Sequence, residues 1–157
     1  PILGVHVLLD REVMTEPHLV MPGRKTHWFF NKGVRGDGTQ HIHAVISGAD
    51  AWMELKEPEI RRLVLQDVAA AYPAVLDAEL VQCRPVKERK ATFRATPEAE
   101  LRRPRAAPTP IGPNGGDIEG LYLAGDWCAT GWPATMEGAV RSGYAAAAAI
   151  IAAARSQ

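Results

Sequence analysis

The sequence has no surplus of charge of either sign: 18 Lys and Arg stand against 18 Asp and Glu, a formal net charge of +0. Proteins that bind nucleic acid over a wide surface neutralise many phosphates, and no spare positive charge is available for that here. Nucleic acid is not an expected partner. Cysteine is scarce as well. Cys83 and Cys128 lie far apart, form no CxxC pair and have no Cys/His spacing typical of zinc, so neither a disulfide framework nor a metal site is expected. A reducing, cytoplasmic setting fits that usage. Long hydrophobic runs are missing too. The most apolar stretch, Ala145 to Ala154, is short and mostly alanine, which barely favours lipid over water, and it reads as a buried helix. The chain opens Pro1-Ile2-Leu3-Gly4, which reads as the middle of a strand, with neither an initiator Met nor a basic leader, and is read as a piece of a longer protein.

What is present is the ordinary material of a folded domain. The sequence is 46% hydrophobic and 23% charged over 157 residues, enough to build a core. Leu3, Val5, Val7 and Leu9 alternate with Gly4, His6 and Leu8, the two-residue period of a strand with one strongly buried face. Residues 27–30 and 42–46 are further strand candidates, joined across a turn-rich stretch with Gly33, Gly36 and Gly38 into a hairpin. From Glu57 the period changes: Ile60, Leu63, Val64, Val68, Ala71 and Tyr72 recur at three and four, with Pro58 in the first turn and Pro73 after the last. Residues 80–83 and 89–93 read as short strands, and 102–116, rich in Pro, Gly and Arg, as an irregular crossing.

Residues 121–148 carry the chemistry, because a strand, an acidic turn, a glycine loop and a small-faced helix occur together in one run. Leu121-Tyr122-Leu123-Ala124 has the pattern of a strand buried on both faces of a parallel sheet. Gly125-Asp126 would then sit beyond its carboxyl end, where open α/β sheets bind ligands. Gly125 lets a ligand approach the backbone, and Asp126, acceptor-only when ionised, suits sugar-like hydroxyls. The plainer reading of Asp126 is a helix cap or surface turn. A helix opening at Pro133 would aim the N–H groups of Ala134, Thr135 and Met136 at an electron-rich ligand edge. Gly138, Ala139, Ser142, Gly143 and Ala146 would let it pack closely, with or without a ligand. Trp127 reads as packing between sheet and helix, while Trp132 is either a substrate wall or filler. His41 and His43, two apart on a strand, read as polar-face residues rather than metal ligands. The basic cluster from Arg84 to Arg105 reads as solvated surface charge, with anionic lipid headgroups as the alternative.

At AGDW followed by MEGAVRSG, Ala124 to Trp127 and Met136 to Gly143, the sequence resembles the C-terminal flavin-binding segment of the FAD family of amine oxidases, carotenoid desaturases and squalene-associated desaturase-like enzymes. The likeness is strongest to the squalene-associated branch. PILGVHVLLDREVM at the start, HWFFNKG from His27, HAVISGAD from His43 and RKATFRATPEAELRRP from Arg89 extend it over nearly the whole chain. The resemblance implies FAD as cofactor, with Asp126 on a ribityl hydroxyl and the backbone around Thr135 and Met136 at the pyrimidine edge of the flavin. Gly125, Pro133, Ala134 and Ala139 belong to the same cofactor-facing set, and Trp132 and Thr135 to the substrate side. An amine substrate is disfavoured, since Thr135 stands where amine oxidases of the family place an aromatic residue.

The implied reaction is reductive removal of the hydroxyl from hydroxysqualene to give squalene, by hydride from reduced FAD. No residue stands out as the general acid the leaving oxygen needs. The alternatives are a carotenoid desaturase, running hydride transfer in the opposite sense, and a non-catalytic prenyl or lipid escort on the same fold. The GxGxxG turn that would hold the pyrophosphate of FAD is absent and is expected in an N-terminal half outside these residues. The expected fold is α/β: residues 1–110 as part of a substrate domain with a mixed sheet, and 111–157 as the C-terminal segment of a Rossmann-like FAD domain. A polyisoprenoid substrate adds peripheral contact with the inner membrane as a further expectation.

Overall fold

The computed structural model describes residues 1–105, 118 and 120–155, which divide into two compact units, Pro1–Thr92 and Phe93–Gln157. In the first, strands β1 (Ile2–Leu9), β2 (His18–Val20), β3 (Trp28–Val34), β4 (Gln40–Ser47) and β5 (Leu80–Glu88) form one sheet in the order β2-β3-β4-β1-β5. Every pairing in it is antiparallel, so the mixed sheet expected from the sequence is corrected to an antiparallel one. The short connections before and after β3 reverse the chain, and the long connection over residues 48–79 brings β5 in parallel to β4 with β1 between them, so that both pair antiparallel with β1. Pro85, which has no N–H to donate, is accommodated because β5 is an edge strand.

Alternation along β1 and β4 sends Leu3, Val5, Val7, Ile42, Ala44 and Ile46 to one face, all at most 1% exposed. Helix α1 (Glu57–Ala71) contributes Ile60, Leu63, Val64 and Val68 to the same core, the face its three-and-four spacing demands. Each such side chain is worth about 1.5–3 kcal/mol on burial. Asp67 also lies on that buried face and accepts a 2.8 Å hydrogen bond from the Thr26 N–H, which ties the segment before β3 to the helix. Gln40 is fully buried: Oε1 accepts from the N–H groups of Val13 and Met14 at 2.8 and 3.0 Å, while Nε2 donates to the Met14 carbonyl. One amide thereby fixes the stretch between β1 and β2.

In the second unit, α2 (Pro97–Leu101) opens at Thr96, whose hydroxyl accepts from the Ala99 N–H at 3.1 Å, and α3 spans Met136–Arg155. Two sequence expectations are corrected here. Residues 89–93 form a turn and bend after β5 rather than a strand, and 121–124 form no strand. A strand requires a partner, and among the described residues none runs beside 121–124; the parallel bridge in this unit joins Arg105 to Ala129 instead. The expected irregular crossing and the boundary at 110/111 fall mainly on residues 106–117, outside the described residues.

Candidate functional site

Asp126 sits in a loop, residues 125–135, that runs into α3. Three devices set its shape. The first is Ser142, fully buried on α3, whose Oγ accepts the Gly125 N–H at 2.8 Å and donates to the Ala139 carbonyl at 2.7 Å. Gly125 is thereby pinned to the helix. A Cβ there would stand 2.2 Å from Nε1 of Trp127, so the close approach this glycine permits is made by the Trp127 ring, in keeping with a packing role for that tryptophan.

The second device is Arg103, with a side chain only 3% exposed. Its guanidinium donates to the carbonyls of Asp126 at 2.9 Å, Cys128 at 2.5 Å, Trp132 at 2.9 Å and Trp127 at 3.3 Å, and to the Glu100 carboxylate at 2.8 Å. Its flat fork of five N–H groups is matched to several acceptors at once. Sequence reasoning took this residue as part of a solvated basic cluster, and the structure corrects that. Lys87 of the same cluster is also engaged, donating to the carbonyls of Met53 and Leu55 at 2.8 and 2.6 Å. Burial raises the pKa of the Cys128 thiol, and the Asp126 charge raises it further, against an opposing effect of Arg103.

The third device is the helix entry. Helix α3 begins at Met136, not at Pro133: the Ala139 N–H bonds to the Thr135 carbonyl at 2.9 Å, and the Thr135 hydroxyl accepts from the Gly138 N–H at 3.3 Å. Thr135 is therefore the cap, a role threonine fills and Pro133, without an N–H or side-chain acceptor, does not. Pro133 turns the chain just before it, and its carbonyl lies 2.6 Å from where a Cβ of Gly138 would be, a contact only glycine allows. Of the N–H groups expected to face a ligand, that of Met136 opens the helix, joined by that of Glu137; neither has a helical acceptor by position. Ala134 and Thr135 precede the helix, and Ala139 spends its N–H inside it.

Asp126 is half-buried, and no described residue donates a hydrogen bond to its carboxylate. The Thr130 hydroxyl is buried without a hydrogen-bond partner among the described residues, 3.9 Å from the position of a Gly138 Cβ. Trp132 is 43% exposed, with the Arg141 guanidinium 4.5 Å from its ring centroid, itself paired with Glu137 at 2.7 Å. A carboxylate, a hydroxyl without a partner among the described residues and the first N–H groups of α3 thus stand in one stretch of chain, a set that offers both donors and acceptors.

In the first unit, His41 and His43 do share the polar face, but with His6. His6 Nδ1 lies 3.0 Å from His41 Nε2, and the His6 and His43 rings stack with centroids 4.3 Å apart. Burial, then the neighbouring His6, lowers the pKa of both His41 and His43. Among the described residues no three His, Cys, Asp or Glu side chains are placed to hold a metal ion. On the same face Trp28 and Phe30 stack at 5.7 Å, beside His18. No helix among the described residues is long and apolar enough to cross a membrane.

The chain is 37% identical over 146 residues to a hydroxysqualene dehydroxylase of Sinorhizobium fredii, an alignment covering 93% of this chain and 31% of that protein. A hydroxysqualene dehydroxylase of Rhodopseudomonas palustris is 47% identical over 114 residues, 73% of this chain and 25% of its own. A 15-cis-phytoene desaturase of Solanum lycopersicum is 26% identical over 164 residues, 96% of this chain and 27% of its own. The chain thus spans less than a third of the length of these curated relatives. The family model described as flavin containing amine oxidoreductase matches residues 1–151, and the chain, carrying the acidic loop and capped helix just described, belongs to that family.

Proposed function

We propose that this chain is part of an FAD-dependent oxidoreductase that removes the hydroxyl of hydroxysqualene to give squalene. The observation that carries the reading is the Asp126 carboxylate, half-buried and accepting nothing from the described residues, while Arg103 holds that residue's carbonyl and Ser142 the N–H of the preceding Gly125. Beside the unpartnered Thr130 hydroxyl of the same loop, such a group marks a place for a ligand hydroxyl. Residues 111–157 form the C-terminal segment of a Rossmann-like FAD domain in this reading, and residues 1–110 part of a substrate domain. Residues 121–124 become a sheet strand once paired with an N-terminal half that carries GxGxxG, and the short share of each relative covered supports such a half.

Bound FAD, when reduced, supplies the hydride that replaces the hydroxyl, and the departing oxygen leaves as water after taking a proton. The chain's own residues prepare for this. Asp126 accepts hydrogen bonds from the ribityl chain, and Gly125, pinned by Ser142, fixes its direction. The N–H groups of Met136 and Glu137, with the positive end of α3 behind them, stabilise negative charge at the pyrimidine edge. Pro133, Ala134, Thr135 and Ala139 shape that edge. Trp132 offers an apolar ring to the polyisoprenoid, one face being taken by Arg141, and such a wall excludes water from a cation-like carbon.

Anaerobic incubation of the full-length protein with reduced FAD and hydroxysqualene, followed by product analysis, tests the reaction. Asp126→Ala is expected to weaken FAD binding roughly 10- to 100-fold, the worth of one hydrogen bond to a charged group. Squalene formation that declines with flavin occupancy supports the proposal. Flavin bound without squalene, with a polyene precursor dehydrogenated instead, moves the assignment to a carotenoid desaturase; an intact protein with no flavin moves it to a prenyl-binding escort.

A further inference from the structure

The guanidinium of Arg103 gathers four main-chain carbonyls from residues 126–132, yet it does not take the Asp126 carboxylate, although it bonds that residue's own carbonyl at 2.9 Å. A buried arginine beside a carboxylate ordinarily pairs with it, because the charge-assisted bond is stronger than one to a carbonyl. Here the anion is supplied from elsewhere. Both oxygens of Glu100, one turn back along the chain, accept from Nη1 at 2.8 and 2.9 Å. Glu100 itself is 55% exposed and is placed by the short α2, which opens at the Thr96 cap.

We propose that Arg103 and Glu100 act together as positioning residues for the cofactor: Arg103 folds the loop around itself, and Glu100 satisfies its charge so that Asp126 stays free for the ligand. The proposal rests on the flavin reading of Asp126. Three consequences follow from the geometry. Converging carbonyls repel one another, so the loop holds its shape only around a multidentate cation. Lysine, a point donor with three N–H groups, retains the charge but cannot reach the same set. Without Glu100, Arg103 lacks a carboxylate partner while it still holds the Asp126 carbonyl, and any pairing with the Asp126 carboxylate competes with the ribityl hydroxyls.

The test uses the full-length holoprotein, with FAD affinity of the apoprotein measured by quenching of flavin fluorescence and kcat measured at saturating FAD. Arg103→Lys is expected to weaken FAD binding on the order of 10- to 100-fold, the loss typical when groups that orient a ligating residue are removed. Turnover at saturating FAD falls far less than affinity does, since neither residue touches the reacting atoms. Glu100→Gln, at a half-exposed position tolerant of change, weakens FAD binding in the same direction with an unaltered melting temperature. Arg102→Ala, which removes an exposed pair with Glu98, leaves affinity unchanged. Wild-type affinity in Glu100→Gln together with Arg103→Lys overturns the proposal, and should Arg103→Lys not fold, wild-type affinity in Glu100→Gln overturns it alone. A wild-type protein that binds no FAD overturns the flavin reading, and this proposal with it.

Discussion

Ser142→Ala isolates a single strut of the loop. The substitution removes one oxygen from a fully buried position and adds nothing, so no new contact confuses the result. Two hydrogen bonds disappear. The Ala139 carbonyl keeps its helical acceptor role toward Gly143 by position, but the Gly125 N–H loses its 2.8 Å partner. An orphaned donor costs about 1–3 kcal/mol. Alanine in place of serine inside a helix returns about 0.5 kcal/mol. The net is a loss of about 0.5–2.5 kcal/mol, and since the Gly125 site is only part-buried, water can partly replace the hydroxyl and the lower half of that range applies. If the strut serves to direct Asp126, the loss appears in cofactor binding, as roughly 2- to 10-fold weaker FAD affinity. Fluorescence titration of the apoprotein and a melting curve of the same sample read both quantities. A melting temperature raised by the better helix former, with FAD affinity unchanged, would refute the argument that Gly125 is held for Asp126's sake.

Two further outcomes concern the first unit. Gln40→Leu strands the N–H groups of Val13 and Met14 in the core, while the Met14 carbonyl keeps its 2.7 Å bond from Asn31 Nδ2; two orphaned donors should destabilise that unit by about 2–5 kcal/mol, seen as a large fall in the denaturation midpoint, and a shift under about 1 kcal/mol contradicts the amide's role as a clamp. The histidine cluster makes stability depend on pH. Because burial and His6 hold the pKa of His41 and His43 below the ordinary value of 6.5, the unfolded chain takes up protons first as pH falls. Stability is therefore full above that value and declines below it, until the folded cluster titrates too. Melting temperatures measured from pH 8 to pH 5 should fall at the acid end, and the double substitution His41→Gln, His43→Gln should flatten the curve; an equal slope in both proteins removes the cluster from the account.

Strands β1 and β4 and helix α1 were legible because each carries a long periodic pattern with one apolar face, and the hairpin of β3 and β4 because its glycines bracket a turn. β2 has three residues, too few for a period. Leu121-Tyr122-Leu123-Ala124 has a strand's composition, but pairing is a property of two segments, and the sequence of one says nothing of the other's presence. At the site, Asp126 was visible as an acid in a glycine turn, and the helix start was misplaced by two residues' preference: proline was weighed over threonine, whose hydroxyl makes the cap. Arg103 and Ser142 could not be singled out. Their roles are created by carbonyls and an N–H that loop back from elsewhere, and backbone groups leave no mark in a residue pattern. Sequence signals for them exist only in hindsight, in an Arg-Pro pair after a capped TPEAE turn and a serine among alanines and glycines.

The order of strands also has a consequence for synthesis. β1 is an interior strand whose two neighbours are β4 and β5, the latter starting at Leu80, so one of its ladders closes across most of the unit's length. At about 5–20 residues per second on the ribosome, β1 waits on the order of 4–15 seconds for that partner. Throughout the wait Leu3, Val5, Val7 and Leu9 form an apolar ribbon with an unsatisfied edge, the kind of segment to which chaperones bind and along which nascent chains aggregate.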